Sequence, residues 1–149
     1  MTRQQPIHQK PVVFRSAQVV GDLQLSARTR AAIRARRVAK GDPLAVGEIA
    51  GLSAMKRTSD LIPHCHIVPL TGSEVRLRLT GRGVTVRATA ETLGRTGVEM
   101  EALVGATGAL LTVWDMVKYL EKNEDGQYPD TVLGPVRVMH KKKERIKAE

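Results

Sequence analysis

The chain has 149 residues, 42% of them apolar, which suits a single domain with a genuine core. Its 24 Lys and Arg against 15 Asp and Glu leave a formal net charge of +9, which favours anionic partners: nucleic acid, acidic lipid heads or a phosphorylated small molecule. Cys65 is the one cysteine, so no internal disulfide forms; there is no run of 18 apolar residues to span a membrane, and the opening Met-Thr-Arg-Gln-Gln-Pro lacks the apolar stretch of a secretory signal. A cytoplasmic protein is expected.

In chain order, Pro11 to Val20 mixes β-branched and apolar residues and stops at Gly21, which predicts a strand. From Leu23 to Arg36 the apolar residues fall close to helical period. Between Arg28 and Lys40 the chain carries Arg28, Arg30, Arg34, Arg36, Arg37 and Lys40 and no acid. Lys40-Gly41-Asp42-Pro43 is a helix start, with Asp42 as N-cap and Pro43 at the first helical position, and the helix runs to about Met55. Pro63 breaks the chain, and Pro69 with Gly72 mark a further irregular stretch.

Val75 to Leu79 alternates apolar and basic residues, as a strand with one wet face does, and Gly81-Arg82-Gly83 turns it back into Val84 to Ala88. Thr96 to Tyr119 is a long helix. Among its small residues Gly105, Ala106, Gly108 and Ala109, the glycines weaken helix propensity by up to about 1 kcal/mol each, which predicts a backbone packed close against it. Asn123 to Asp130 is a loop and Val132 to Met139 a last strand, with a solvated tail from Lys141 to Glu149. Residues 1–10 and 142–149 are expected to be flexible. The order strand, two helices, hairpin, helix, strand predicts an α+β domain of the split β-α-β-β-α-β kind, an antiparallel sheet with helices packed on one face.

Four clusters carry possible chemistry. Lys40 stands at a helix entrance, where free N–H groups and the helix dipole attract anions, though no phosphate-binding GxxxxGK[ST] spacing is present. Lys56-Arg57-Thr58-Ser59-Asp60-Leu61-Ile62-Pro63-His64-Cys65-His66 gathers two cations, two hydroxyls and two imidazoles. In an extended segment His64 and His66 point to one side, but a zinc site needs more ligands than this spacing supplies. A phosphate or acid–base pocket suits these residues better. Glu99 and Glu101 begin the long helix, where acids also simply offset the dipole. Asp115 and Lys118 form an i,i+3 pair flanked by Leu110, Leu111, Val113, Trp114, Met116 and Val117; such a pair is either ordinary surface decoration or a couple with perturbed proton affinities. Glu101 and Asp115 lie 14 positions apart. That is about 40° around a helix axis and roughly 21 Å along it, so a common site for both needs a second subunit or an unwound helix start.

In order along the chain stand Lys40-Gly41-Asp42, Lys56-Arg57-Thr58, Asp60-Leu61-Ile62-Pro63, Cys65-His66, Thr96-Gly97-Val98-Glu99-Met100-Glu101-Ala102-Leu103, Asp115-Met116 with Lys118, and Gly134-Pro135-Val136-Arg137. This series resembles the cyclic pyranopterin monophosphate synthase family, molybdenum cofactor biosynthesis protein C. The resemblance spans roughly Arg15 to Lys141. It implies a ferredoxin-like fold and a lyase that converts 3′,8-cyclo-7,8-dihydro-GTP to cyclic pyranopterin monophosphate with release of pyrophosphate. It also implies a homohexamer built as a trimer of dimers with interface active sites, and no resident cofactor, with Mg²⁺ on the triphosphate left open. Carried over by position, Asp115 is the catalytic aspartate and Lys118 and Lys40 the acid/base lysines, their pKa values lowered to move protons. His64, Cys65, His66, Met100 and Glu101, with Glu99 beside them, line the substrate. Arg15, Lys56, Arg57 and Lys141 contact the triphosphate.

The chain departs from the family pattern at three places. His64 stands where leucine is usual, with Ile67-Val68-Pro69 after the pair; Gln5-Pro6-Ile7-His8 replaces a Met-Val-Asp-Val-Ser segment; and lysines after Lys141 replace a Gly-Gly-Lys-Ser-Gly tail. Two rival readings are an RNA-binding module and an inactive scaffold of the same fold. RNA-reading sheets stack bases on strand aromatics. Of Phe14, Trp114, Tyr119 and Tyr128 only Phe14 falls on a predicted strand, so no nucleic-acid partner is expected, and no membrane.

Overall fold

Alternation sorts the strands into an inner and an outer face. The computed structural model describes residues 1–147. Its first strand, β1 (Val13–Gln24), buries Val13, Ala17, Val19, Gly21 and Leu23 and leaves the residues between them less buried. The same period runs through β2 (Gly72–Leu79), with Val75 and Leu77 inside and Arg76 and Arg78 outside. In β3 (Gly83–Gly94), Val84, Val86, Ala88, Ala90 and Thr92 are buried. With β4 (Val132–Glu144) these strands form one antiparallel sheet in the order β2-β3-β1-β4. Helices α1 (Ala27–Arg34), α2 (Pro43–Met55), α3 (Thr58–Leu61) and α4 (Glu99–Glu121) complete the chain. The architecture is α+β and ferredoxin-like, as expected.

Helices α2 and α4 cover the inner face and enclose the core. Their contact depends on glycine. A Cβ on Gly51 would come 2.9 Å from the Gly105 carbonyl oxygen, and one on Gly108 would come 2.9 Å from Ala54 Cβ. The close backbone neighbour foreseen for the long helix is therefore α2 of the same chain, so these glycines do not report a second subunit. Helix α4 is long and apolar enough to cross a bilayer by length and composition alone, but half of its apolar window is buried. Its apolarity builds the core.

Several boundaries differ from the sequence expectation. Strand β1 passes through Gly21 to Gln24, taking Leu23 from the expected helix. Gly21 allows it, because a Cβ there would meet Val136 Cγ2 at 2.9 Å. Helix α1 starts later, where Ser26 caps it by accepting from Thr29 N–H. The turn α3, which the irregular reading missed, is held by the buried Thr58 hydroxyl donating to the Met55 carbonyl at 2.9 Å. Lys141 to Glu144, expected in a tail, pair with Ala17 to Phe14 as the end of β4. The long β1 offers them a partner, and lysines suit the sheet's edge. Residues 148 and 149 of that tail lie outside the described residues.

One buried acid ties the two ends of the fold together. Glu121, 5% exposed at the end of α4, accepts from Ser26 N–H at 2.9 Å, from the Thr29 hydroxyl at 2.5 Å and from the Thr131 hydroxyl at 3.0 Å. Burial alone would push this carboxyl up. The hydrogen bonds from Ser26 and Thr29 outweigh it and hold the carboxyl below the ordinary glutamate range. A depressed folded pKa means that the ionised group adds stability, in full above the unfolded value of about 4.3 and decreasingly as pH falls toward the folded one. Glu121→Gln should therefore cost on the order of 1–3 kcal/mol at pH 7. In denaturant unfolding the gap between variant and parent should narrow below about pH 4.3. A gap that is absent at pH 7, or that widens in acid, would contradict this role.

Candidate active site

The connector between α1 and α2 delivers Lys40. It leaves α1 through Arg36, in the left-handed region at φ 55, and turns at Gly41, φ 105, whose N–H donates to the Val38 carbonyl at 3.1 Å. Asp42 then caps α2, its Oδ1 accepting from Leu44 N–H at 3.0 Å and Ala45 N–H at 3.2 Å. Lys40 Nζ reaches across to α4, 3.3 Å from Asp115 Oδ2 and 3.0 Å from the Asp115 carbonyl oxygen. Lys118 Nζ lies 2.8 Å from the other carboxylate oxygen. One carboxylate is thus shared by two ammonium groups from different elements.

The electrostatics of this cluster differ from expectation in one respect. Hydrogen bonds from Lys118 and Lys40 hold the Asp115 carboxyl below the ordinary aspartate range, and the same contact with Asp115 pushes Lys118 up rather than down. The apolar neighbours Leu110, Val113, Met116 and Val117 face the core and do not desolvate the pair. The Asp115 side chain is 59% exposed. A lysine pKa falls only when burial or another cation opposes its charge.

A second group gathers at the start of α4. Cys65 N–H donates to the Ile62 carbonyl at 3.0 Å, so His64 sits in a tight turn and His66 lies just beyond it. The two imidazoles therefore do not share one extended face. His64 is exposed, and Cys65 and His66 are half-buried. The side-chain amide of Gln4 donates to the Cys65 carbonyl at 3.1 Å, laying the N-terminal segment over this turn. Glu101 is 4% exposed, and burial, then the nearby charge of Glu99, raises its carboxyl pKa. Burial also raises the Cys65 thiol, with the Glu101 charge adding to it. Met100, between the two acids, is 39% exposed. Among the described residues no three His, Cys, Asp or Glu side chains converge as a metal set.

A third group adjoins the second. Lys141 Nζ is 2.8 Å from Glu99 Oε1. Burial would raise the Glu99 carboxyl, but the Lys141 hydrogen bond and the charges of Lys141 and Arg15 bring it below the ordinary value. Arg15 donates through Nε to the Gly94 carbonyl at 3.2 Å and through one terminal nitrogen to the Arg95 carbonyl at 3.3 Å. Arg15, Glu99, Lys141, Lys142 and Lys143 line a cleft of about 110 Å³. Lys56 and Arg57 are exposed between α2 and α3, outside these contacts.

The chain thus places Lys40, Asp115 and Lys118 together at one end of α4, and the Cys65 turn, Glu99, Glu101 and Lys141 at the other. Sequence reasoning missed two contributors. Tyr119 Oη accepts from Ala39 N–H at 2.7 Å, and Trp114 stacks edge-on against Tyr128 with ring centroids 5.5 Å apart. The available signal was scarcity, since three of the four aromatics fall between positions 114 and 128.

Known proteins resemble this chain along most of its length. The profile of the MoaC family matches residues 5–144. A protein of Methanothermobacter thermautotrophicus named "Probable cyclic pyranopterin monophosphate synthase accessory protein" is 48% identical over 134 residues, 90% of this chain and 84% of that protein. Proteins named "Probable cyclic pyranopterin monophosphate synthase" from Aeropyrum pernix and Methanosarcina acetivorans are 49% identical over 134 residues and 45% identical over 137. The first alignment covers 90% of this chain and 92% of its relative, the second 92% and 87%. The chain belongs to the MoaC family.

Proposed function

We propose that this chain is a cytoplasmic lyase of molybdenum cofactor biosynthesis, which converts 3′,8-cyclo-7,8-dihydro-GTP to cyclic pyranopterin monophosphate and releases pyrophosphate. The observation that carries this reading is the Asp115 carboxylate held between Lys40 and Lys118. Ring opening and reclosure move several protons, and forming the cyclic phosphate expels a polyanion. A carboxylate shared by two ammonium groups supplies positioned proton donors and an acceptor, and the surrounding cations favour the charge on the leaving group. In the single chain Lys118 is a poor base. Closing the site over a bound substrate would remove water, and that burial opposes the charge on Lys118. Arg15, Lys141, Lys56 and Arg57 would hold the triphosphate, and His64, Cys65, His66, Met100, Glu101 and Glu99 the ring system. No resident cofactor is needed; Mg²⁺ would enter only on the triphosphate. An RNA-binding reading draws on the outer sheet face, where Arg76 stands opposite Arg87. Among the described residues that face has only Phe14 as a stacking platform, which favours the enzyme.

Lys40→Ala, Asp115→Ala and Lys118→Ala should each lower product formation by about 100-fold or more, with circular dichroism and assembly unchanged. Near-normal turnover in any one of them would remove that residue from the catalytic set.

The second element of the proposal is a composite site in a homohexamer built from three dimers. Helix α4 carries both residue groups without a break, so their separation along it is roughly 21 Å. Its remaining free face bears Met100, Val104, Thr107, Leu111 and Trp114, of which Leu111 is 49% exposed. This stripe ends at Asp115 and Lys118. A second copy laid antiparallel along it would cover the apolar side chains and bring one chain's Met100 end to the other's Asp115 end. Mixing His66→Ala with Asp115→Ala after dissociation and reassembly should then restore roughly a quarter of parental activity, because each mixed dimer holds one intact site. No recovery despite proven subunit exchange would place both residues in one chain's site.

A further inference from the structure

The cluster around Asp115 raises a question of placement. Asp115 and Lys118 sit on rigid helix, but Lys40 comes from the irregular connector between α1 and α2, on a flexible four-carbon stem. Catalytic groups lose efficiency quickly when misplaced, by about 100-fold for a displacement near 1 Å. Asp42 and Gly41 fix the connector's exit into α2. Neither fixes its height over α4.

Val38 anchors the connector in the core, and the contact nearest the lysine comes from α4 itself. Tyr119 directly follows Lys118, and its phenolic oxygen accepts from the backbone N–H of Ala39 at 2.7 Å. Ala39 directly precedes Lys40, so the connector is fastened to α4 next to the lysine and one residue from its partner. Tyr119 is 43% exposed and stands outside the core cluster. Among the described residues the Ala39 N–H has no other acceptor, and the further hydrogen bonds from this part of the connector to α4 are the two that Lys40 makes to Asp115. Without the hydroxyl, the contact with Asp115, through both its carboxylate and its carbonyl oxygen, becomes the only such restraint on the lysine.

We propose that Tyr119 is a positioning residue: its hydroxyl holds the Ala39 N–H and so sets Lys40 against Asp115 in the lyase reaction. This rests on the functional reading above for its consequence in turnover, but the tether itself does not. The test therefore reads the tether directly. In the assembled full-length protein carrying ¹³C-labelled aspartate, the Asp115 carboxyl is followed by NMR titration in the parent, Tyr119→Phe, Lys40→Ala and the double variant. Removing the hydroxyl frees one of the two cations that lower Asp115, so Tyr119→Phe should titrate at higher pH than the parent, toward Lys40→Ala. The double variant should match Lys40→Ala alone, since a tether with no lysine to place has no further effect. Turnover in Tyr119→Phe should fall on the order of tenfold in kcat, with KM changed less than about twofold. An Asp115 titration identical in Tyr119→Phe and parent overturns the proposal, as does an equal shift with and without Lys40. A shifted Asp115 with unchanged turnover upholds the tether and counts instead against the catalytic role given to Lys40.

Discussion

An unbroken α4 is the constraint on which the rest depends. Hydrogen-bonded from Glu99 to Glu121, it behaves as a ruler that holds the Glu101 end and the Asp115 end at opposite extremes. One face of the ruler is committed to the core: Ala102, Ala106, Ala109, Leu110, Val113 and Val117 are all fully buried. A second face is occupied by α2, through contacts so close that Gly51 and Gly105 leave no room for side chains. What remains is a stripe leading from one set of polar residues to the other. The fold thus presents two groups of polar residues on one surface, held roughly 21 Å apart along α4.

The electrostatics reflect the same exposure. Each candidate acid at the surface is matched by cations, Asp115 by Lys40 and Lys118, and Glu99 by Lys141 with Arg15 nearby. Of the candidate site acids, only Glu101 is buried without a cation among the described residues, and its proton affinity rises accordingly. Exposed pairs of this kind add little to stability. Their arrangement makes a cation-rich surface whose field favours an anionic ligand.

Much of this was legible in the sequence, and the exceptions have physical causes. Period-two alternation identified β2, and Asp42-Pro43 identified the start of α2, because those signals are local. The extent of β1 was not local: Leu23 fits the helical pattern as well as the strand pattern, and the sheet's inner face decides between them. The lysine run looked like tail because charge usually means solvent, yet an edge strand has one free side where charge is at home. The glycines of α4 announced a close neighbour correctly but not which one. At the site, motif resemblance singled out Lys40, Asp115 and Lys118, whose side chains meet in the structure. The raised pKa of Lys118 and the role of Tyr119 depend on exposure and on a side-chain-to-backbone bond spanning 80 positions, neither of which any spacing encodes.

Whether this surface performs a defined cyclisation is tested most directly by its products. The purified, assembled chain is incubated with 3′,8-cyclo-7,8-dihydro-GTP, and the products are resolved by mass while pyrophosphate is assayed in parallel. Cyclic pyranopterin monophosphate and pyrophosphate should appear in equal amounts as substrate disappears. Substrate left intact by a correctly assembled protein, or consumed without pyrophosphate, would contradict the lyase reading.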